Sequence, residues 1–179
     1  VYATHIFNNI LYMGTNQGLY YKPITSAEPL KPVVGLDGQV WSLQKLNNTL
    51  ICGHDKGALE INGSKATALF KGLGFWLFKE LNETQFLAGT YNGIHLFEKS
   101  AKSLRYVSHI QNFSMSSRYL EVLNSREILV SHEYKGVFKL LLDDNNKSIL
   151  VATQIPNVPA SLYSSMISFQ GDICYFSNS

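Results

Sequence analysis

The 179-residue sequence contains no apolar run near the roughly 18 residues that a membrane-crossing helix requires. It has two cysteines, too few for a disulfide framework. It lacks a basic stripe: 15 Lys and Arg stand against 13 Asp and Glu, interspersed, for a net charge of +2. That balance argues against nucleic acid as a direct partner. A Gly-x-Ser-x-Gly elbow, a phosphate loop, Cys-x-x-Cys and His-x-x-x-His are all missing. No catalytic residue, metal or cofactor is therefore expected, and the segment does not read as an enzyme. A basic leader followed by an apolar run is not seen at Val1. Alanines are few and no long 3.6-residue pattern occurs, which disfavours helices.

What is present is a repeat. Ile10-Leu-Tyr-Met-Gly-Thr-Asn-Gln-Gly-Leu-Tyr-Tyr21 recurs, altered, as Leu50–Ile61, Phe86–Phe97 and Ile128–Lys139. Each copy is an apolar run, a small residue, a short polar stretch, a glycine and a second partly apolar run. The later glycines are Gly18, Gly57, Gly93 and Gly136, spaced by 39, 36 and 43 residues. A near-constant period in this range marks a repeat architecture. Each copy reads as a β-hairpin whose turn ends at a glycine with positive φ. Ten Tyr and ten Phe, in a chain that is 45% apolar, fit an all-β protein with a sizeable core.

Another strand precedes each hairpin: Val1–Phe7, Val40–Leu46, Phe75–Leu81 and Ser117–Leu123, each followed by an Asn turn. A fourth follows each: Lys31–Val34, Ser64–Phe70, Ser103–Ile110 and Lys147–Thr153. Four antiparallel strands in about 40 residues are the size of one propeller blade. The fold class expected is all-β, a β-propeller segment of four four-stranded antiparallel blades plus the start of a fifth. The approximate blades are 1–37, 38–72, 73–114 and 115–158, with a partial one at 159–179. Because the last stretch breaks off in mid-unit, the chain is expected to be a fragment of a longer polypeptide. The alternative is a four-bladed ring whose last half-blade completes the first.

The residues carry a resemblance. Leu11-Tyr-Met-Gly-Thr-Asn-Gln-Gly-Leu-Tyr20 resembles the repeat of the two-component regulator propellers, whose core reads roughly Leu-Trp-Ile-Gly-Thr-x-x-Gly-Leu. Gly89-Thr-Tyr-Asn-Gly-Ile94 keeps the Gly-Thr-x-x-Gly part. Gly53-His-Asp-Lys-Gly57 loses the Thr, and Ser131-His-Glu-Tyr-Lys-Gly136 loses the first Gly and gains a residue. The resemblance implies a periplasmic sensor segment of a hybrid histidine kinase or a related membrane-bound transcription regulator, responding to carbohydrate breakdown products. It further implies more blades and downstream domains as partners, and a homodimer.

Aligning the first strands from their last apolar residue places Tyr2, Trp41, Trp76, Arg118 and Ser164 at equivalent positions. Aromatic faces stack on sugar rings, and Arg donates forked hydrogen bonds to carboxylate or sulfate. These five are the candidate ligand-binding residues for an oligosaccharide. The competing reading is that Trp41 and Trp76 fill space between blades. His54 and His132 occupy equivalent hairpin positions and are read as rim histidines on different blades. Cys52 and Cys174 are read as buried free thiols. Asp143-Asp-Asn-Asn146 is read as a turn rather than a calcium loop. Four sequons fall on turns, at Asn47, Asn62, Asn82 and Asn112. The function expected is non-enzymatic ligand sensing. The alternatives are a protein-interaction scaffold and, last, a propeller hydrolase or lyase.

Overall fold

The computed structural model describes residues 1–160 and 164–177, and among them it holds eighteen strands and no helix. The first sheet is β1 (Ala3–Phe7), β2 (Ile10–Gly14), β3 (Leu19–Pro23) and β4 (Lys31–Pro32). The second is β5 (Val40–Leu46), β6 (Thr49–His54), β7 (Gly57–Asn62) and β8 (Lys65–Lys71). The third is β9 (Phe75–Glu80), β10 (Gln85–Thr90), β11 (Gly93–Lys99) and β12 (Leu104–His109). The fourth is β13 (Tyr119–Val122), β14 (Glu127–His132), β15 (Gly136–Leu142) and β16 (Ile149–Gln154). A two-stranded sheet follows, β17 (Ser165–Phe169) and β18 (Asp172–Phe176). In every sheet the strands lie in sequence order, as an antiparallel meander.

The Asn turns reach this topology in two ways. Asn8 and Asn9 (φ 50° and 60°) and Asn47 and Asn48 (φ 46° and 58°) close two-residue turns with both central residues left-handed. That twist matches the flanking strands, and Asn tolerates it. The third and fourth sheets use a side chain instead. Asn82 Oδ1 accepts the Thr84 and Gln85 N–H groups at 3.0 Å each, and Asn124 Oδ1 accepts those of Arg126 and Glu127 at 3.0 and 2.9 Å.

By contact density the chain divides into two units: Val1–Trp76 with Lys99–Tyr106, and Leu77–Glu98 with Val107–Ser179. In the first unit Tyr12, Leu19, Val33, Leu36, Val40 and Leu50 form the core. In the second, Leu87, Leu96, Ile110, Leu120, Val130 and Leu140 do so. Fully burying one such aliphatic side chain contributes about 1.5–3 kcal/mol.

Within each unit, one sheet meets the next backbone to backbone. A Cβ added at Gly14 would run into the Val40 side chain. One at Gly53 would lie 2.7 Å from the Phe75 carbonyl oxygen, and one at Gly89 would strike the Ser117 carbonyl oxygen. The same approach is sealed by hydrogen bonds: Val40 N–H donates to Thr15 O and Ser117 N–H to Thr90 O, both at 2.9 Å. The small residue of each of the first three repeats thus closes its second strand where the following first strand crosses. The connections add a second seam. Val34 bridges to Lys65 and Gln111 to Ser148, so these two connectors pair at the outer edge of the following sheet.

This explains where strands differ from expectation. β4 stops at Pro32 because Val34 N–H turns to Ser64 O. β13 starts at Tyr119 because Ser117 N–H is spent on Thr90. Asp143 closes the β15–β16 turn, accepting Lys147 N–H at 2.7 Å and pairing with Ser148 Oγ at 2.9 Å. Those backbone bonds hold its carboxyl below the usual range. Both cysteines are free thiols. Cys52 is buried, which pushes its thiol pKa up, but Cys174 is only half-buried, since β18 has a partner strand on one side among the described residues.

Gly89→Ala is expected to lower stability by about 1–3 kcal/mol, because the new methyl group has only rigid backbone to displace. Gly35→Ala, where a Cβ meets nothing within 4 Å, bears only the strain of its φ of +77°. That strain is about 1 kcal/mol. Urea unfolding measures both, and an unchanged midpoint for Gly89→Ala would contradict the close approach.

Candidate functional site

Tyr2, Trp41 and Trp76 come together in the first unit. Tyr2 lies just ahead of β1, and each Trp is the second residue of its strand. Ring centroids are 5.3 Å apart for Tyr2–Trp41 and 4.7 Å for Trp41–Trp76, with interplanar angles of 44° and 50°. Trp41 is the extra residue of a bulge: Val40 stands opposite His54 and Ser42 opposite Gly53, leaving Trp41 without a counterpart. A bulge turns a side chain out of the regular alternation. Tyr2 is 55% exposed and both Trp residues are half-buried. The result is an aromatic file with an exposed end, a surface suited to the apolar face of a sugar ring.

The other two predicted residues lie in the second unit. Arg118 Nη1 donates to Glu133 Oε1 at 2.8 Å, and its guanidinium carbon is 5.5 Å from the Tyr119 ring centroid. Its fork is thus already engaged on one side. Ser164 is 1% exposed, buried immediately ahead of β17. It therefore offers no surface to a ligand, where a contact was expected.

The Gly-Thr-x-x-Gly turns show a division of labour. Thr15 Oγ1 accepts Gln17 N–H at 3.0 Å and donates to Gly18 O at 3.0 Å. Thr90 Oγ1 does the same with Asn92 N–H at 3.2 Å and Gly93 O at 3.0 Å. In the two copies that lose the Thr, a histidine takes the acceptor role. His54 Nδ1 accepts Lys56 N–H at 3.0 Å and His132 Nδ1 accepts Tyr134 N–H at 3.2 Å. These bonds place the remaining proton of each neutral ring on Nε2.

Beside the His54 turn lies a cavity of about 470 Å³. Leu36, Leu59, Ala68 and Phe70 form its apolar wall, and Asp37, His54, Asp55, Lys56 and Lys71 supply its polar groups. Lys56 Nζ donates to Asp37 O at 3.0 Å, tying the connector to the turn. Ligand sites are of this size and composition.

No protein-family model matches the sequence, and no curated protein matches it. Solved structures do. The extracellular domain of BT4673 from B. thetaiotaomicron, described as a two component system, aligns at 16% identity and TM-score 0.65. That alignment covers 96% of this chain and 25% of that one. A second structure of the domain, described as a one component system, gives 16% and 0.67 over 98% of this chain and 26% of the other. The WD40 beta propeller domain of Doa1 gives 15% and 0.56, over 87% and 55%.

The chain has the β-propeller fold.

At these identities the likeness establishes that fold and nothing finer. The chain spans about a quarter to a half of the length of these propellers. The four-stranded sheets are the blades, and β17–β18 begin a fifth.

Sequence reasoning missed the cavity. Its signal was the departure of Gly53-His-Asp-Lys-Gly57 from the repeat, which puts three ionisable groups in one turn. Burial lowers the His54 pKa from its ordinary 6.5, although Asp55 Oδ1, 2.9 Å from Nδ1, pulls the other way. Burial likewise lowers His132. His95 is pushed down to about 4 by burial and, secondarily, by His109, whose ring lies 4.9 Å away.

These depressed values make stability depend on pH. The unfolded chain takes up protons near 6.5, before the folded one does. Stability is therefore fully present above 6.5 and is lost as pH falls. The double variant His54→Thr/His132→Thr replaces each imidazole by the hydroxyl acceptor of the other two repeats and is expected to flatten this loss. His95 keeps part of it. Urea midpoints between about pH 7 and pH 5 test this, and equal pH dependence in variant and parent would contradict it.

Proposed function

We propose that this chain is a ligand-sensing propeller segment of an extracytoplasmic bacterial signalling protein of the two-component regulator type. It works by binding rather than turnover. The observation that carries this reading is the file Tyr2–Trp41–Trp76 across the starts of three successive first strands. The fold likeness to the extracellular domain of a two component system over nearly the whole chain supports it. The proposed ligand is an oligosaccharide, with a ring laid on the exposed end of the file. Sensing requires that the ligand bind two arrangements of the protein with different affinity. The file suits that requirement, because its rings belong to different blades and their spacing changes when blades shift.

A protein-interaction scaffold is the second reading. What favours it is Tyr134, 69% exposed at the tip of the β14–β15 turn, together with the likeness to a WD40 domain. The readings separate in a thermal-shift screen against neutral, acidic and sulfated oligosaccharides. A saccharide at 100 times its Kd raises the melting temperature by about 5–10 °C. The sensor reading expects such a hit, lost in Trp41→Ala and in Trp76→Ala. No hit across the panel, with a partner protein captured through Tyr134, would overturn it.

A further inference from the structure

The cavity beside the His54 turn is separate from the aromatic file and has a different chemistry. It lies in the second blade, between the connector 35–38, the β6–β7 turn and the end of β8. Three features define what fits it. Its apolar wall is aliphatic and aromatic: Leu36, Leu59, Ala68 and Phe70. Its polar groups carry both signs, with Asp37 and Asp55 against Lys56 and Lys71. His54, 3% exposed, is committed through Nδ1 to the backbone, so its Nε2–H is a buried donor, and it finds no acceptor among the described residues. Asp55 Oδ1 likewise accepts no hydrogen bond there. An unmatched buried donor or acceptor costs about 1–3 kcal/mol, which a ligand group of matching type removes.

A simple anion would meet two carboxylates at this rim, and a simple cation two ammonium groups and the imidazole donor. A neutral sugar would leave the aliphatic wall poorly used. A molecule with one charge of each sign at one end and an apolar tail satisfies all three features. We propose that this cavity binds a small zwitterion with an apolar side chain, a free α-amino acid of the leucine or phenylalanine type. Its carboxylate lies towards Lys71 and the His54 Nε2–H, its ammonium group towards Asp55, and its side chain on Leu59, Ala68 and Phe70. The second blade is thereby a ligand site independent of the saccharide reading.

The test is a two-dimensional amide NMR titration of the chain with L-phenylalanine and L-leucine. N-acetyl-L-phenylalanine amide, which has neither charge, is the control. The expected result is saturable shifts confined to residues 35–38, 54–57 and 68–72, with no response to the control. Lys71→Ala, at an exposed position, and Asp55→Asn should each weaken binding about tenfold, about 1.4 kcal/mol. A dispersed spectrum confirms that each variant is folded. Trp41→Ala should leave amino-acid binding unchanged, so loss of the saccharide site and loss of this one are read separately. Absence of saturable shifts, equal binding of the uncharged control, or affinity unchanged in both cavity variants would each overturn the proposal.

Discussion

The close approach of one blade's second strand to the next blade's first strand is the constraint on which the rest depends. Two backbones meet at Gly53 and Phe75 and at Gly89 and Ser117, and Gly14 lies against the Val40 side chain. Contact at that distance leaves no room for a side chain, which is why the repeat keeps a small residue there. It also lets the backbone of one sheet hydrogen-bond to the next through Thr15 and Thr90. The core then fills the wedge that remains. Tyr12 illustrates this: it is buried, and its hydroxyl donates across the wedge to Gly63 O at 3.1 Å. Burying so large a side chain is tolerable because its one polar atom is satisfied.

The same geometry generates the surfaces with chemical potential. Because blades meet so tightly at their first strands, residues at the starts of those strands fall into a file, and the bulge at Trp41 lets a large ring join it. The hairpin turns that follow the second strands are held by a Thr hydroxyl or a His imidazole. A hydroxyl is indifferent to pH, whereas an imidazole exchanges that neutrality for a titratable group. Repeats two and four therefore diverge chemically, repeat two at the turn length of repeats one and three and repeat four with one residue more. Divergence at a turn is cheap for the fold, since the turn needs one acceptor and not a particular residue.

The strands and their order were legible because their signals are local. Gly18, Gly57, Gly93 and Gly136 mark hairpins through backbone conformation, and Asn8-Asn9 and Asn47-Asn48 mark turns through tolerated left-handed φ. The alignment of Tyr2, Trp41 and Trp76 was legible because a repeat converts sequence equivalence into spatial proximity. What the sequence did not disclose depends on non-local partners. Nothing around Arg118 signals that Glu133 would take its guanidinium, and nothing around Ser164 signals its burial. Nor could the cavity be read, since Leu36, His54 and Phe70 meet only after three separate segments have folded together. The connectors show the same limit. Val33 and Ile110 look like strand residues but are buried where the chain hooks onto the following sheet.

If inter-blade backbone contact governs the fold, the amides that make it must open only when the blades themselves come apart. Native-state hydrogen exchange of the Val40 and Ser117 amides measures this directly, since they donate to Thr15 and Thr90 across the seam. The account predicts that both exchange as slowly as amides in the centres of β6 and β10, as parts of one cooperative unit. Exchange at the rate of exposed turn amides, with β6 and β10 still protected, would contradict it: the blades would then be folding as separate sheets that merely touch.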